Sequence, residues 1–156
     1  LKGAAVKSLA TVLFAATALL SSSLYAQNQG ANAVNPNDPA VKSAIDEAGQ
    51  AAQRWLAMLD ADKFDACFDA LAPAVKGQID KNDFQSSLTS VREQYGVAKS
   101  RRPSKVTFTH KLPGSPDGDY VVLQYDTDFA KHPHAVETVI PMRTTDGWKV
   151  SGYFVR

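Results

Sequence analysis

This chain of 156 residues is poor in the residue types that most chemistry needs. It has one cysteine, three histidines and two tryptophans. One cysteine excludes an internal disulfide and any thiolate metal cage. No Gly-rich phosphate loop follows a strand, and there is no Gly-x-Ser-x-Gly and no His-Glu-x-x-His. Charge of one sign is also lacking: 17 basic residues stand against 16 acidic. A near-neutral balance argues against nucleic-acid binding. No internal repeat and no second domain can be read.

The one long apolar run lies at the start. Lys2 and Lys7 form a positive end, Leu9 to Leu20 is apolar except for Thr11 and Thr17, and Ser21 to Ala26 supplies small residues. That layout is a secretory signal peptide over residues 1–26, with cleavage expected after Ala26. The run is short for a membrane span, which takes roughly 20 residues. The expected location is therefore periplasmic or secreted, with no membrane attachment after cleavage. Removing two of the 17 bases and no acid leaves 15 against 16, a net charge of −1. The remaining chain of about 130 residues can bury roughly two-thirds of its unfolded surface in one core.

Residues 27–37 are polar and lack periodicity, which reads as a disordered lead-in. Residues 38–156 read as a single domain. Asp38-Pro39 has the form of a helix start, a capping side chain followed by Pro at the first helical position. Val41, Ile45, Ala48, Ala52, Trp55, Leu56 and Leu59 then recur at helical spacing, with Trp55 as the expected anchor. A second helix carries Phe64, Cys67, Phe68 and Leu71 on one face and runs to Pro73, so Cys67 is expected to be a buried hydrophobe. Asp80 caps a third helix bearing Phe84, Leu88, Val91 and Tyr95, which Gly96 stops.

Lys99 to Lys105 reads as a basic, solvated linker. Lys105 to Leu112 alternates, with Val106, Phe108, His110 and Leu112 on one side. Three further strands follow: Tyr120–Phe129, Ala135–Met142 and Trp148–Val155. They are rich in β-branched and aromatic residues and bounded by Asp117-Gly118, His132-Pro133 and Asp146-Gly147. The fold class is α+β, with three N-terminal helices on one face of a four-stranded antiparallel meander.

Three stretches carry a resemblance: Leu112 to Phe129, Ala135 to Met142, and Asp146-Gly-Trp-Lys-Val-Ser-Gly-Tyr153. With the helix bearing Trp55, Leu56 and Asp60, they resemble an exported bacterial family, domain-of-unknown-function family four thousand and nineteen, over roughly residues 45–156. The resemblance implies an exported single-domain protein and brings no catalytic residues. More loosely, the order of elements is similar to the cystatin-like roll, including nuclear-transport-factor-2-like domains, in which helices and sheet enclose a pocket.

Alternation assigns the strand faces. Val121, Leu123, Tyr125, Thr127 and Phe129 are expected to face the helices. So are Val136, Thr138, Ile140 and Met142, then Trp148, Val150, Gly152 and Phe154, with His110 from the first strand. That places every strand carboxylate, Glu137 included, on the outer face or at an edge. An acid–base enzyme needs a carboxylate or equivalent base inside its pocket. The chain therefore reads as a non-catalytic module binding a small molecule or an exported protein, and whether it is an enzyme stays open. His110, Tyr125, Thr127 and Thr138 are the candidate ligand-binding residues. The alternative is a lyase- or isomerase-like pocket enzyme using His110 as base and Tyr125 as donor.

No cofactor is expected. His132-Pro133-His134, with only Asp126 and Asp128 in range, is short of a metal ligand set and reads as a turn. On the outer face the same alternation collects Tyr120, Val122, Val139, Tyr153 and Val155 among charged residues. A face that apolar suggests self-association as a homodimer.

Overall fold

The computed structural model describes residues 34–156. The expected signal peptide, its cleavage after Ala26 and residues 27–33 of the lead-in lie outside the described residues. Residues 34–37, expected as lead-in, end in a turn in which the Asp38 N–H donates to the Asn35 carbonyl.

Four helical segments precede the sheet. They are α1 (Pro39–Asp60), α2 (Phe64–Asp69), α3 (Pro73–Lys76) and α4 (Lys81–Tyr95). The expectation of three missed α3, a single turn that Pro73 starts and Gly77 ends. The caps fall where the sequence puts them. The Asp38 carboxylate accepts the Ala40 N–H at 2.8 Å, and that of Asp80 accepts the Asn82 N–H at 2.7 Å. Gly96 ends α4 at φ 78°, a conformation that favours glycine.

The sheet is a meander, β1 (Ala98–Thr109), β2 (Tyr120–Phe129), β3 (Ala135–Thr144) and β4 (Gly147–Val155), with every pair antiparallel and spatial order equal to chain order. β1 corrects the sequence reading, because the basic stretch from Lys99 to Lys105 is strand, not linker. Its partners are Arg101 with Thr127 and Arg102 with Asp126, and a bulge between Pro103 and Lys105 absorbs the proline. The far edge, β4, is closed. Leu71 bridges Val150, and the Ala72 N–H donates to the Val150 carbonyl at 2.9 Å.

α1 lies on one face of the sheet and buries Ala44, Ala48, Ala51, Ala52, Trp55, Leu56 and Leu59 in a core shared with the strands. Trp55 anchors it as expected. Its ring lies 5.1 Å from that of Tyr153, and its Nε1 donates to the Cys67 carbonyl at 3.0 Å, which ties α2 to α1. Cys67 is fully buried. Burial first, and then the charge of Asp60, pushes its thiol up to about 12.

The strand faces follow expectation in β2 and depart from it in β3 and in the second half of β4. Val121, Leu123, Tyr125, Thr127 and Phe129 are all buried under the helices. In β3 the inner set is Ala135, Glu137, Val139 and Pro141, one residue out of step with the alternation read from sequence. In β4, Trp148 and Val150 face inward as expected. Ile140 then pairs with Gly152 and Pro141 with Val150, so Ser151 is the extra residue of a bulge. Beyond it the phase flips, and Tyr153 and Val155 join the core in place of Gly152 and Phe154.

Candidate functional site

The most organised polar feature sits where the C-terminal end of α1 crosses the sheet. α1 and each strand contribute one side chain: Asp60, Arg101 (β1), Thr127 (β2), Glu137 (β3) and Tyr153 (β4). Glu137 is at the centre, with its side chain 0% exposed. Its Oε2 accepts Arg101 Nε and, at 2.9 Å, the Thr127 hydroxyl. Its Oε1 accepts Arg101 Nη2 at 3.1 Å and the Tyr153 hydroxyl at 2.9 Å. Four donors thus satisfy the carboxylate, as a fully desolvated charge requires.

Arg101 turns its other edge to Asp60, donating from Nη1 to Oδ2 and from Nη2 to Oδ1 at 2.8 Å. One guanidinium therefore bridges two carboxylates, one buried and one 37% exposed. Burial alone would lower the Arg101 pKa, but its hydrogen bonds and charge contacts with Asp60 and Glu137 outweigh this and raise it. The group stays charged at any ordinary pH. The Tyr153 phenol is pushed well above its usual value by burial first, then by the Glu137 charge and hydrogen bond. Tyr125, opposite Glu137 in the β2–β3 register, is raised by burial and by the same charge.

The inner face thus does hold a strand carboxylate, against the expectation that all of them lie outside. Beside the network is a small crevice, partly open to solvent, lined by Leu59, Leu88, Val91, Arg92, Gly96, Arg101, Phe129 and Tyr153. It reaches Arg101 and Tyr153, and Glu137 is not among its lining residues. The carboxylate is enclosed by its own hydrogen-bond donors.

The four residues singled out from sequence scatter. Thr127 belongs to the network. Tyr125 is buried under the helices as expected. Thr138 is fully buried but lies on the opposite face of β3, and its hydroxyl has no hydrogen-bond partner. His110 lies beside Phe108, their rings 5.0 Å apart, but is not buried among the helices. It follows the last residue of β1, its side chain is 52% exposed, and its Nδ1 lies 2.7 Å from Asp119 Oδ1. Tyr125 pairs with Pro103, seven positions before His110 in the chain, so about 20 Å of strand separates the proposed base and donor.

Sequence reasoning missed Asp60, Arg101, Glu137 and Tyr153. One signal was available. An isolated Gly inside a strand, here Gly152, suggests a bulge, and the bulge at Ser151 puts Tyr153 inside.

The outer face holds a second cluster. Asp126, Asp128 and His134 each offer a ligand atom within 4.8 Å of the others. Arg102 already sits there, with Nη2 2.8 Å from Asp126 and 3.9 Å from Asp128. Asp128 also accepts the Ser100 hydroxyl at 3.2 Å and the His134 backbone N–H at 3.1 Å. These carboxylates already hold protein partners. The remaining outer face is mostly apolar. Val122, Val136, Ile140, Met142 and Phe154 lie there half-buried, outside the core cluster and the residues packed on it.

These features define an α+β domain in which a helix is locked onto an antiparallel meander by an internal ion network, with no open acid–base pocket among the described residues. The chain belongs to the family described as "Protein of unknown function (DUF4019)", whose profile matches residues 51–153. The match spans α1's second half through Tyr153, so it includes every residue of the network. No curated protein and no solved structure matches the chain.

Proposed function

We propose that this protein is an exported, non-catalytic interaction module that pairs with a second copy through the outer face of its sheet. The observation that carries this reading is the placement of Glu137. The one carboxylate on the inner face is held by four donors and has no open space before it, so it has no free lone pair with which to act as a base. The pocket-enzyme alternative loses its support, because His110 and Tyr125 stand far apart. Export rests on the pattern of the first 26 residues. The cystatin-like roll remains a likeness in element order, with α1 laid across a meander.

The outer face supplies the interaction surface. Val122, Val136, Ile140, Met142 and Phe154 form an apolar centre, and the charges around them are of both signs: Asp126 and Asp128 against Arg102, Lys105 and Lys149. A mixed rim of this kind lets like faces meet without strong repulsion, whereas a highly charged partner finds no complementary field. α3, the segment after it and the β1–β2 loop shield only one end of the face, where Val75, Ile79 and Pro116 approach Tyr120 and Met142. Size-exclusion chromatography with light scattering tests the proposal. A dimer that Phe154→Asp converts to monomer supports it. A monomer persisting at about 1 mM, where even weak specific pairs form, overturns it.

A further inference from the structure

The two edges of the sheet differ. β4 is capped by Leu71 and Ala72, whereas among the described residues β1 pairs only with β2 and presents its other side to solvent. Every second residue of an edge strand directs its N–H and C=O away from the sheet, as a template for another strand. Edges are commonly protected, and Pro103 with its bulge protects the middle of β1. Beyond the bulge, Lys105–Thr109 is regularly paired with β2 and free on its far side.

The side chains of this stretch give the edge two different lips. Val106 and Phe108 stand opposite Leu123 and Val121, so they lie on the inner face, yet the helices leave Val106 43% exposed. Val106 is one of the two exposed large hydrophobics among the described residues, the other being Val97 just before β1. Lys105 and Thr107 lie on the outer face, opposite Gln124 and Val122. β1 carries Lys99, Arg101, Arg102 and Lys105 and no acid.

We propose that the free edge of β1 over Lys105–Thr109 is a strand-addition site for an extended segment of a partner protein in which apolar residues alternate with carboxylates. Alternation follows from the pleat. In the added strand, every second side chain falls on the inner lip and covers Val106 and Phe108, and those between fall beside Lys105. The strip's charge favours such a partner over a second copy of the chain. Arg101 and Arg102 already hold carboxylates, but Lys105 has none, and β1 of a second copy, which contains no acid, would bring it none. The site is separate from the outer-face surface and does not depend on that reading.

An end-blocked hexapeptide alternating valine and glutamate, titrated into the 15N-labelled protein, tests the site. Saturable amide shifts concentrated at Lys105–Thr109 are expected. Val106→Glu should weaken binding at least tenfold, and so should Lys105→Glu, which removes the cation without touching the apolar lip. A valine–lysine peptide should bind at least tenfold more weakly than the valine–glutamate one. No saturable shift up to about 1 mM peptide, the weak end of specific binding, overturns the proposal. Equal binding of the lysine peptide also overturns it, as do shifts centred on Ile140 and Phe154.

Discussion

Arg101 and Arg102 are neighbours in the chain and opposites in the structure. Each comes from β1 and holds two carboxylates: Asp60 and Glu137 for Arg101, Asp126 and Asp128 for Arg102. The strand's pleat sends one inward and the other outward. Arg101 is 17% exposed beside a carboxylate with no exposure at all, whereas Arg102 is 59% exposed beside carboxylates at 39% and 30%. The pairing chemistry is the same and the surroundings differ. Water screens the outer set and competes for its partners, so formation or loss of that pair changes little. Glu137, at the centre of the inner set, has no water to fall back on, so it depends on its partners being present.

The largest effect should come from Arg101→Ala. It leaves Glu137 charged, buried and short of two of its four hydrogen bonds, a situation that costs about 3–5 kcal/mol. Urea unfolding should show the midpoint falling by that equivalent with the slope unchanged. The same comparison can be turned around. Arg101→Met combined with Glu137→Leu removes both buried charges together and should recover most of the loss. A double variant as unstable as the single one would mean that packing, not uncompensated charge, dominates there.

Next in size is Tyr153→Phe. It keeps the ring that packs 5.1 Å from Trp55 and deletes only the hydroxyl that Glu137 accepts at 2.9 Å. A hydrogen bond to a charged group contributes about 1.5–3 kcal/mol. The effect should therefore fall between that of Arg101→Ala and those of the outer cluster. The phenol itself should stay protonated far beyond the usual tyrosine range, because burial and Glu137 raise its pKa. Ultraviolet titration should show it ionising only as the protein unfolds.

The outer cluster should instead report pH. Asp128 is held below the usual aspartate value of 3.8, first by the His134 backbone N–H, with Ser100, His134 and Arg102 adding to it. A carboxylate whose pKa is lowered by folding contributes stability that is present above its unfolded pKa. That contribution is lost as pH falls through the lowered, folded value. Carbon-detected titration of the Asp128 carboxyl should place its midpoint under 3.8, and Ser100→Ala should move it upward.

How much of this was legible beforehand follows from which signals are local. The helix caps at Asp38 and Asp80 and the stop at Gly96 depend on a few adjacent residues, and they sit where the sequence puts them. β2 alternates without interruption, and its inner face was readable to the residue. β3 offers two phases of similar apolarity, Val136-Thr138-Ile140 and Ala135-Val139-Pro141, and the second hides Glu137 among its inner positions. Period-two reasoning preferred the phase without a charge. It could not see that Arg101 comes from a stretch whose four cations and Pro103 look like a linker. The network is legible only when both ends are placed together, because each end alone violates the pattern of its own strand. His110 failed for a simpler reason. Alternation was extended to Leu112, three residues past the end of β1, where the His110 ring pairs with Asp119 in the open instead of lining a pocket.

The smallest expected effect belongs to Arg102→Ala, and it separates the two arginines most directly. Its guanidinium lies 2.8 Å from Asp126, the distance at which Arg101 Nη2 meets Asp60. If direct pairing with a carboxylate governed the energetics, removing Arg102 would cost a sizeable fraction of what removing Arg101 costs. If burial governs, water takes over the role of the lost cation. The loss should then stay below about 1 kcal/mol and shrink further in high salt. A loss at Arg102 close to that at Arg101, unchanged by salt, would show that the outer cluster is as tightly organised as the inner one. Two adjacent residues in one strand, mutated identically, thus measure what the face of the sheet contributes to an ion pair.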